Sequence, residues 1–285
     1  MSNPLKMFDL TGRVAIVTGG AGLLGAEFCQ TLVKAGASVV VADIDVDAAK
    51  ALAKSLSVVL SENHQSYKVD VKSSAVGVWT DVTDIDSVQY TVDTTLRQFG
   101  HLDILVNSAA VDPKFDPQHV NTQINAFEEY PLEAWNQALN VNLTGMFLCC
   151  QAAARPMLGQ GQGVIINVCS IYGMVGPDQK IYQRDGEVPQ YKPVYYSVTK
   201  AGVLGLTKYL ATYYAGRNIR VNTLTPGGVY FEHDDEFVQA YAARSVLGRM
   251  AEKDEMNGAM LFLASDASAY MTGANLVVDG GWTAW

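Results

Sequence analysis

Short apolar, mostly β-branched runs recur along this chain, separated by longer stretches in which apolar positions return every three to four residues. The first four runs are 13–18 (RVAIVT), 38–43 (SVVVAD), 76–81 (VGVWTD) and 102–107 (LDILVN). Three more follow at 164–170 (VIINVCS), 219–225 (IRVNTLT) and 275–279 (NLVVD). They are apolar nearly throughout rather than alternating, as expected of strands covered on both faces. Strand and helix patterns alternate from end to end, which predicts parallel βαβ units joined by right-handed crossovers. The expected architecture is therefore α/β and doubly wound, with a seven-stranded, mainly parallel sheet and helices on both faces. No linker, repeat or low-complexity tract interrupts the pattern, so residues 1–285 are expected to form one domain.

Three connections are long: 57–74, 112–130 and 173–193. In open α/β sheets the segments leaving the carboxyl ends of strands line the ligand crevice. The second and third of these qualify, and they are read as substrate-specificity loops.

Composition narrows the classes of function. Only 17% of residues are charged, and the 20 Lys and Arg against 29 Asp and Glu leave a net charge of −9. Such a balance argues against nucleic acid and against anionic membranes as partners. No apolar stretch approaches the ~18 residues needed to span a bilayer, and the first residues lack a signal architecture. The four cysteines (Cys29, Cys149, Cys150, Cys169) have no metal or disulfide-framework spacing; reduced, buried thiols in a cytoplasmic protein are expected. His64, His101, His119 and His233 show no ligand spacing either, so no metal site is expected.

The chemistry-bearing residues begin where the first strand runs into Thr18-Gly19-Gly20-Ala21-Gly22-Leu23-Leu24-Gly25, followed by a helix expected near Ala26. A strand before, a helix after and an acidic residue ending the next strand make this a dinucleotide-binding turn. Gly19 permits the tight turn, Gly22 a close approach to a pyrophosphate, and Gly25 close packing of helix on sheet; the helix N-terminus adds positive potential. Asp43, 18 residues beyond Gly25, is placed to accept both ribose hydroxyls. A 2′-phosphate there would meet a like charge, and Ile44-Asp45-Val46-Asp47 offers no cation, so NAD is expected rather than NADP. Asp45 is expected to cap the next helix.

Tyr196 and Lys200 stand four residues apart at the start of a long helical pattern and hence share a face. A neighbouring cation is expected to bring the phenol, ordinarily near pKa 10, towards working range as a base. Tyr195 would be out of register with the lysine. Cys169, next to Ser170, is read as a core residue.

Taken with Ser170 at a strand end, these motifs resemble the short-chain dehydrogenase/reductase family in its single-domain, Rossmann-fold form. The similarity covers the chain from Gly12-Arg13-Val14-Ala15 to Val278-Asp279-Gly280-Gly281, through Thr80-Asp81-Val82-Thr83-Asp84, Asn107-Ser108-Ala109-Ala110, Asn142-Leu143-Thr144-Gly145 and Pro226-Gly227-Gly228. What the resemblance implies is a secondary alcohol–ketone oxidoreductase with catalytic residues Asn142, Ser170, Tyr196 and Lys200. Tyr196 would be the general acid/base, Lys200 its activator and a ligand of the nicotinamide ribose. Ser170 would bond the substrate oxygen, and Asn142 would hold a relay water. The implied NAD contacts are Thr18, Gly19, Gly22, Leu23, Leu24, Gly25, Asp43, Ile44, Asp81, Val82, Asn107, Ala109, Tyr196, Lys200, Pro226, Gly227 and Val229. A homotetramer or homodimer is also implied.

Several features depart from that pattern. Leu23 stands where glycine is usual, giving T-G-x-x-G-x-x-G, a spacing also found in NAD-retaining sugar epimerases and dehydratases, which form the alternative reading. The segment after Gly228 lacks a customary threonine. Ser170 and Tyr196 are 26 residues apart, roughly twice the expected separation, and SIYGMVGPDQKIY resembles a surface-sugar biosynthesis branch. Asp178, Arg184, Asp185, Asp112, Lys114 and Asp116 in the two loops suggest a polyhydroxylated or phosphorylated substrate. The polar 230–244 segment is not read as an apolar lid; His233-Asp234-Asp235 is read as a capped helix start.

Overall fold

In the computed structural model, residues 4–63, 74–112, 125–184, 186 and 188–285 are described. The seven strands are β1 (Val14–Thr18), β2 (Ser38–Asp43), β3 (Ala75–Trp79), β4 (Ile104–Asn107), β5 (Gly163–Val168), β6 (Ile219–Pro226) and β7 (Asn275–Val278). They lie in the order β3-β2-β1-β4-β5-β6-β7, and all six pairings are parallel. The sheet is thus wholly rather than mainly parallel.

The helices are α1 (Leu23–Lys34), α2 (Val46–Asn63), α3 (Ile85–Phe99), α4 (Leu132–Leu139), α5 (Met146–Gln160), α6 (Val194–Tyr213), α7 (Asp235–Arg244) and α8 (Asn257–Ala264). Successive strand residues face opposite layers: Ala15 and Val17 pack with α1, α2 and α8, whereas Ile16 packs with α3, α5 and α6. Both faces are therefore buried, which is why the strands read as continuous apolar runs. Among the described residues no helix is long and apolar enough to cross a membrane.

α1 begins three residues earlier than expected. Gly22 is extended (φ −74°, ψ 177°) and serves as its N-cap, so Gly25 lies in the first turn instead of before it. A π-helical turn over Asn140–Gly145 joins α4 to α5; single π turns of this sort recur at functional sites. All four cysteines are free and buried.

Candidate active site

The strand order reverses between β1 and β4, the switch point at which α/β sheets open a ligand crevice. A cleft of about 730 Å³ runs over the carboxyl ends of the strands there. Every residue singled out in the sequence as catalytic or cofactor-binding lines it except Thr18, Asn107 and Asn142. Those three stand behind the wall as braces.

The glycine turn packs backbone on backbone. Gly19 has φ +61°, and a Cβ there would lie 2.7 Å from Ala109 Cα; a Cβ on Gly25 would lie 2.0 Å from the Gly19 carbonyl oxygen. No side chain caps α1, so its first-turn N–H groups are left for another acceptor, as a pyrophosphate requires. The Thr18 hydroxyl accepts from the N–H groups of Ser108 and Ala109 at 3.2 and 3.3 Å, tying the end of β1 to the loop after β4. Asn107 donates to Asn167 Oδ1 at 2.9 Å and to Cys150 Sγ at 3.2 Å.

Asp43 Oδ2 accepts the Ala21 N–H at 2.9 Å and its Oδ1 accepts the Asp45 N–H at 3.0 Å, which pins the carboxylate beside the glycine turn. Asp45 caps α2 as expected, accepting the Ala48 N–H at 2.9 Å. Further along, Val82 closes on Gly145, where a Cβ would meet Val82 Cγ2 at 2.7 Å. Asp81 accepts the Thr83 N–H and hydroxyl at 2.9 and 2.7 Å. These residues make a slot that fits a dinucleotide. Among the described lining residues the only Lys or Arg side chains are Lys192 and Lys200, both beside Tyr196.

At the catalytic end, β5 delivers Ser170 and α6 delivers Tyr196 and Lys200. The Ser170 hydroxyl accepts the Tyr172 N–H at 3.3 Å and stands close enough to the Tyr196 phenol to favour its ionised form. Lys200 is 5% exposed, donates to the Val168 carbonyl at 3.1 Å, and has its Nζ 5.7 Å from the Tyr196 ring centroid. The expected depression of the phenol does not occur here. Burial first, then the Asp112 charge, push Tyr196 well above its ordinary value, with the Ser170 hydroxyl opposing them. Lys200 is lowered, chiefly by burial. Its ammonium is committed to a backbone carbonyl, and loss of water outweighs its field at the phenol.

Asn142 sits in the π turn, 1% exposed. Its side chain closes on Val111, accepting that N–H at 2.7 Å and donating to that carbonyl at 3.1 Å. Cys169 is buried in the core but also forms part of the cleft floor, its thiol donating to the Lys200 carbonyl at 3.1 Å. β5 ends at Val168, so Cys169 and Ser170 both lie just beyond the strand. Tyr195 packs on Tyr130 instead of entering the site.

The substrate end is more aromatic than its sequence suggested. Tyr182 donates to the Tyr172 hydroxyl at 2.9 Å, and Tyr172 meets Tyr196 edge-on at 6.4 Å between centroids. Phe231, His233, Phe237 and Tyr241 of the 230–244 segment all line the cleft. His233 stacks on Phe237 at 4.9 Å, and Trp282 backs Tyr241 at 4.2 Å. Phe237 and Tyr241 are one helical turn apart and share the inward face, while the charges of α7 point elsewhere. Asp234 caps α7 through the Phe237 N–H at 2.8 Å, as expected.

Two of the loop charges are spent on clamps. Arg184 Nη2 lies 2.8 and 2.9 Å from the Asp234 oxygens, and Arg244 lies 2.7 Å from Asp178. Lys192, missed in the sequence, pairs with Asp112. Lys114, Asp116, Asp185, His64 and His119 lie outside the described residues. The wall aromatics and Lys192 carry no local motif; only Tyr172 and Tyr182, within SIYGMVGPDQKIY, gave any sequence signal.

A crevice with a glycine turn and an uncapped helix N-terminus at one end and with serine, tyrosine and lysine converging at the other fits one class: a nicotinamide-dependent oxidoreductase acting on CH–OH groups. Comparison with known proteins places it further. Residues 20–283 match the family model described as enoyl-(acyl carrier protein) reductase, and the chain belongs to the short-chain dehydrogenase/reductase family. It is 36% identical over 281 residues to D-threitol dehydrogenase of Mycolicibacterium smegmatis, covering 97% of this chain and 95% of the relative. It is 37% identical over 272 residues to 3-alpha-(or 20-beta)-hydroxysteroid dehydrogenase of Mycobacterium tuberculosis, covering 95% and 90%. A gluconate 5-dehydrogenase from Burkholderia cenocepacia, solved with NADP and tartrate, superimposes with a TM-score of 0.81 at 29% identity, covering 99% of this chain and 100% of that one.

Proposed function

We propose that this protein is an NAD-dependent dehydrogenase that interconverts a secondary alcohol and a ketone on a polyhydroxylated, sugar-like substrate, with Tyr196 as the general acid/base. The observation that carries this reading is the convergence of Ser170, Tyr196 and the buried Lys200 on one cleft. A bound nicotinamide would supply the hydride exchange. The protein's share is position and the proton. In oxidation the carbinol proton passes to a Tyr196 phenolate; in reduction the Tyr196 hydroxyl returns it to the carbonyl oxygen, which Ser170 holds. Burial keeps Tyr196 protonated, so oxidation should accelerate as pH rises and reduction should persist at neutral pH.

Lys200 would hold the nicotinamide ribose, with its charge supporting the phenolate. Asn142 would serve the proton relay through its main chain, because Val111 occupies its side chain. Val229, Pro226 and Gly227 would border the nicotinamide, while Asp81, Val82 and Ile44 would border the adenine. Preference for NAD rests on Asp43 and the lack of a lining cation near it among the described residues. The polar-substrate reading is supported by Lys192, Asp112 and Gln137 in the crevice and by the threitol-oxidising relative. The aromatic wall would cover C–H faces. Exposed Val198, Tyr209 and Tyr213 on α6 and Phe147 on α5 support a homodimer or homotetramer.

The test is nucleotide reduction at mildly alkaline pH across sugars, polyols, hydroxy acids and sterols, with NAD and NADP, repeated with Tyr196→Phe. The expected result is polyol turnover that prefers NAD and is lost in the variant. Turnover of sterols as fast as polyols would refute the substrate class. Silence with tightly held NAD would favour a redox-neutral epimerase or dehydratase.

A further inference from the structure

We propose that Lys192 and Asp112 form a donor–acceptor pair that reads the hydroxyl on the carbon next to the reacting carbinol. The preferred substrate is then a vicinal diol, or the α-hydroxy ketone it becomes. This deepens the dehydrogenase reading above and rests on it.

Lys192 enters four residues before Tyr196, at the end of the long segment, and its Nζ lies 4.0 Å from the Tyr196 ring centroid, nearer than that of Lys200. Its backbone N–H donates to Gln179 Oε1 at 2.9 Å, which fixes the point from which the side chain departs. Pro193 then caps α6, so the lysine cannot drift without moving the catalytic helix. Only 13% of the Lys192 side chain is exposed, so an added hydrogen bond there competes with little water. Across the crevice Asp112 takes its ammonium in an ion pair.

The pair has unused capacity. An ammonium carries three donors and a carboxylate about four lone-pair positions, and a single mutual contact leaves most of these open. A substrate hydroxyl is the group that can accept from Lys192 and donate to Asp112 together. A methylene can do neither, an ether oxygen can only accept, and a carboxylate would be repelled by Asp112. Because the pair is neutral overall, it favours an uncharged polyol over an anion. Its seat on the Tyr196 ring places it against the atoms that exchange the proton, so the hydroxyl it reads sits beside the carbinol. Tyr172, Tyr182 and Phe237 line the same cleft with aromatic rings.

The test compares kcat/KM for butane-2,3-diol with butan-2-ol, and for cyclohexane-1,2-diol with cyclohexanol, in wild type, Lys192→Met, Asp112→Asn and Lys192→Arg. A hydrogen bond to a charged group predicts a wild-type preference for each diol of about 10- to 100-fold. Both neutralising variants should lose most of that ratio, mainly through KM, and Lys192→Arg should recover part of it. Equal losses on diol and monohydric alcohol would mean that the pair acts through Tyr196, and would overturn the inference. An unchanged ratio in variants that fold, judged by nucleotide binding, would overturn it too. Wild-type turnover of monohydric alcohols without a diol preference sinks this inference alone; absence of turnover on every alcohol sinks the dehydrogenase reading as well.

Discussion

Replacing Gly25 with alanine would put a methyl carbon 2.0 Å from the Gly19 carbonyl oxygen, 2.8 Å from Gly19 C and 2.9 Å from Gly20 Cα. All three are backbone atoms, so no side chain can swing away. Relief to the 3.4 Å at which ordinary contact begins requires the turn and α1 to part by about 1.4 Å. Overpacking on this scale costs about 1–3 kcal/mol, within the ~5–15 kcal/mol that a domain has in hand, so the variant should fold. Binding is less forgiving, since a site must hold its donors within about 0.5 Å. Loss of one charge-assisted hydrogen bond to the pyrophosphate weakens the nucleotide by about 10- to 100-fold. Fluorescence titration with NADH would measure this, alongside urea unfolding without nucleotide. One control brackets it. Gly159→Ala meets nothing within 4 Å in α5 and should bind NADH normally while gaining about 0.5–1 kcal/mol of stability. A folded Gly25→Ala with wild-type NADH affinity would show that the close packing of α1 on the turn does not set the nucleotide site.

The buried acids predict alkaline instability. Burial pushes the Cys150 thiol and the Tyr172 phenol each up to about 12, from ordinary values of 9.0 and 10.0. The unfolded chain releases these protons first, so the stabilisation is complete below about pH 9 and is lost as pH rises towards 12, at up to about 1.4 kcal/mol per pH unit per group. A urea midpoint that stays level across that range would contradict this. For the clamp, Arg184→Ala should raise KM several-fold and flatten the dependence of KM on salt, while unfolding stability changes by less than about 1 kcal/mol because the Asp234 side chain is 61% exposed. Unaltered KM at low and high salt would show that the clamp does not hold the substrate wall.

The glycine-turn half of the crevice was legible in the sequence because backbone contacts shape it. Gly19 and Gly25 mark close backbone approaches that no other residue permits, and Asp43 ends a strand whose register is set by burial on both faces. The strands were legible for the same reason. The substrate half was not. Phe237 and Tyr241 lie among Asp235, Glu236 and Arg244, and only the helix geometry shows which set turns inward. Lys192 meets Asp112 from 80 residues away, a contact decided by how the loop folds back. Thr18, Asn107 and Asn142 carry recognisable motifs, yet their side chains brace neighbouring backbone and polar side chains in this structure. The π turn that seats Asn142 has no signature that periodicity would reveal.

Ser170 and Tyr196 are held one by the end of β5 and the other by α6, and between them the described residues Ile171, Tyr172, Ile181 and Tyr182 pack into one buried cluster with Phe237 and Tyr241 of α7. Such a segment is a cassette. Exchanging its outward part while keeping Tyr172 beside Tyr196 and Pro193 at the start of α6 would change the substrate wall, so lineages could explore new alcohols by recombining this stretch. An engineer could graft a relative's segment in the same way, provided that the matching partners on α7 travel with it.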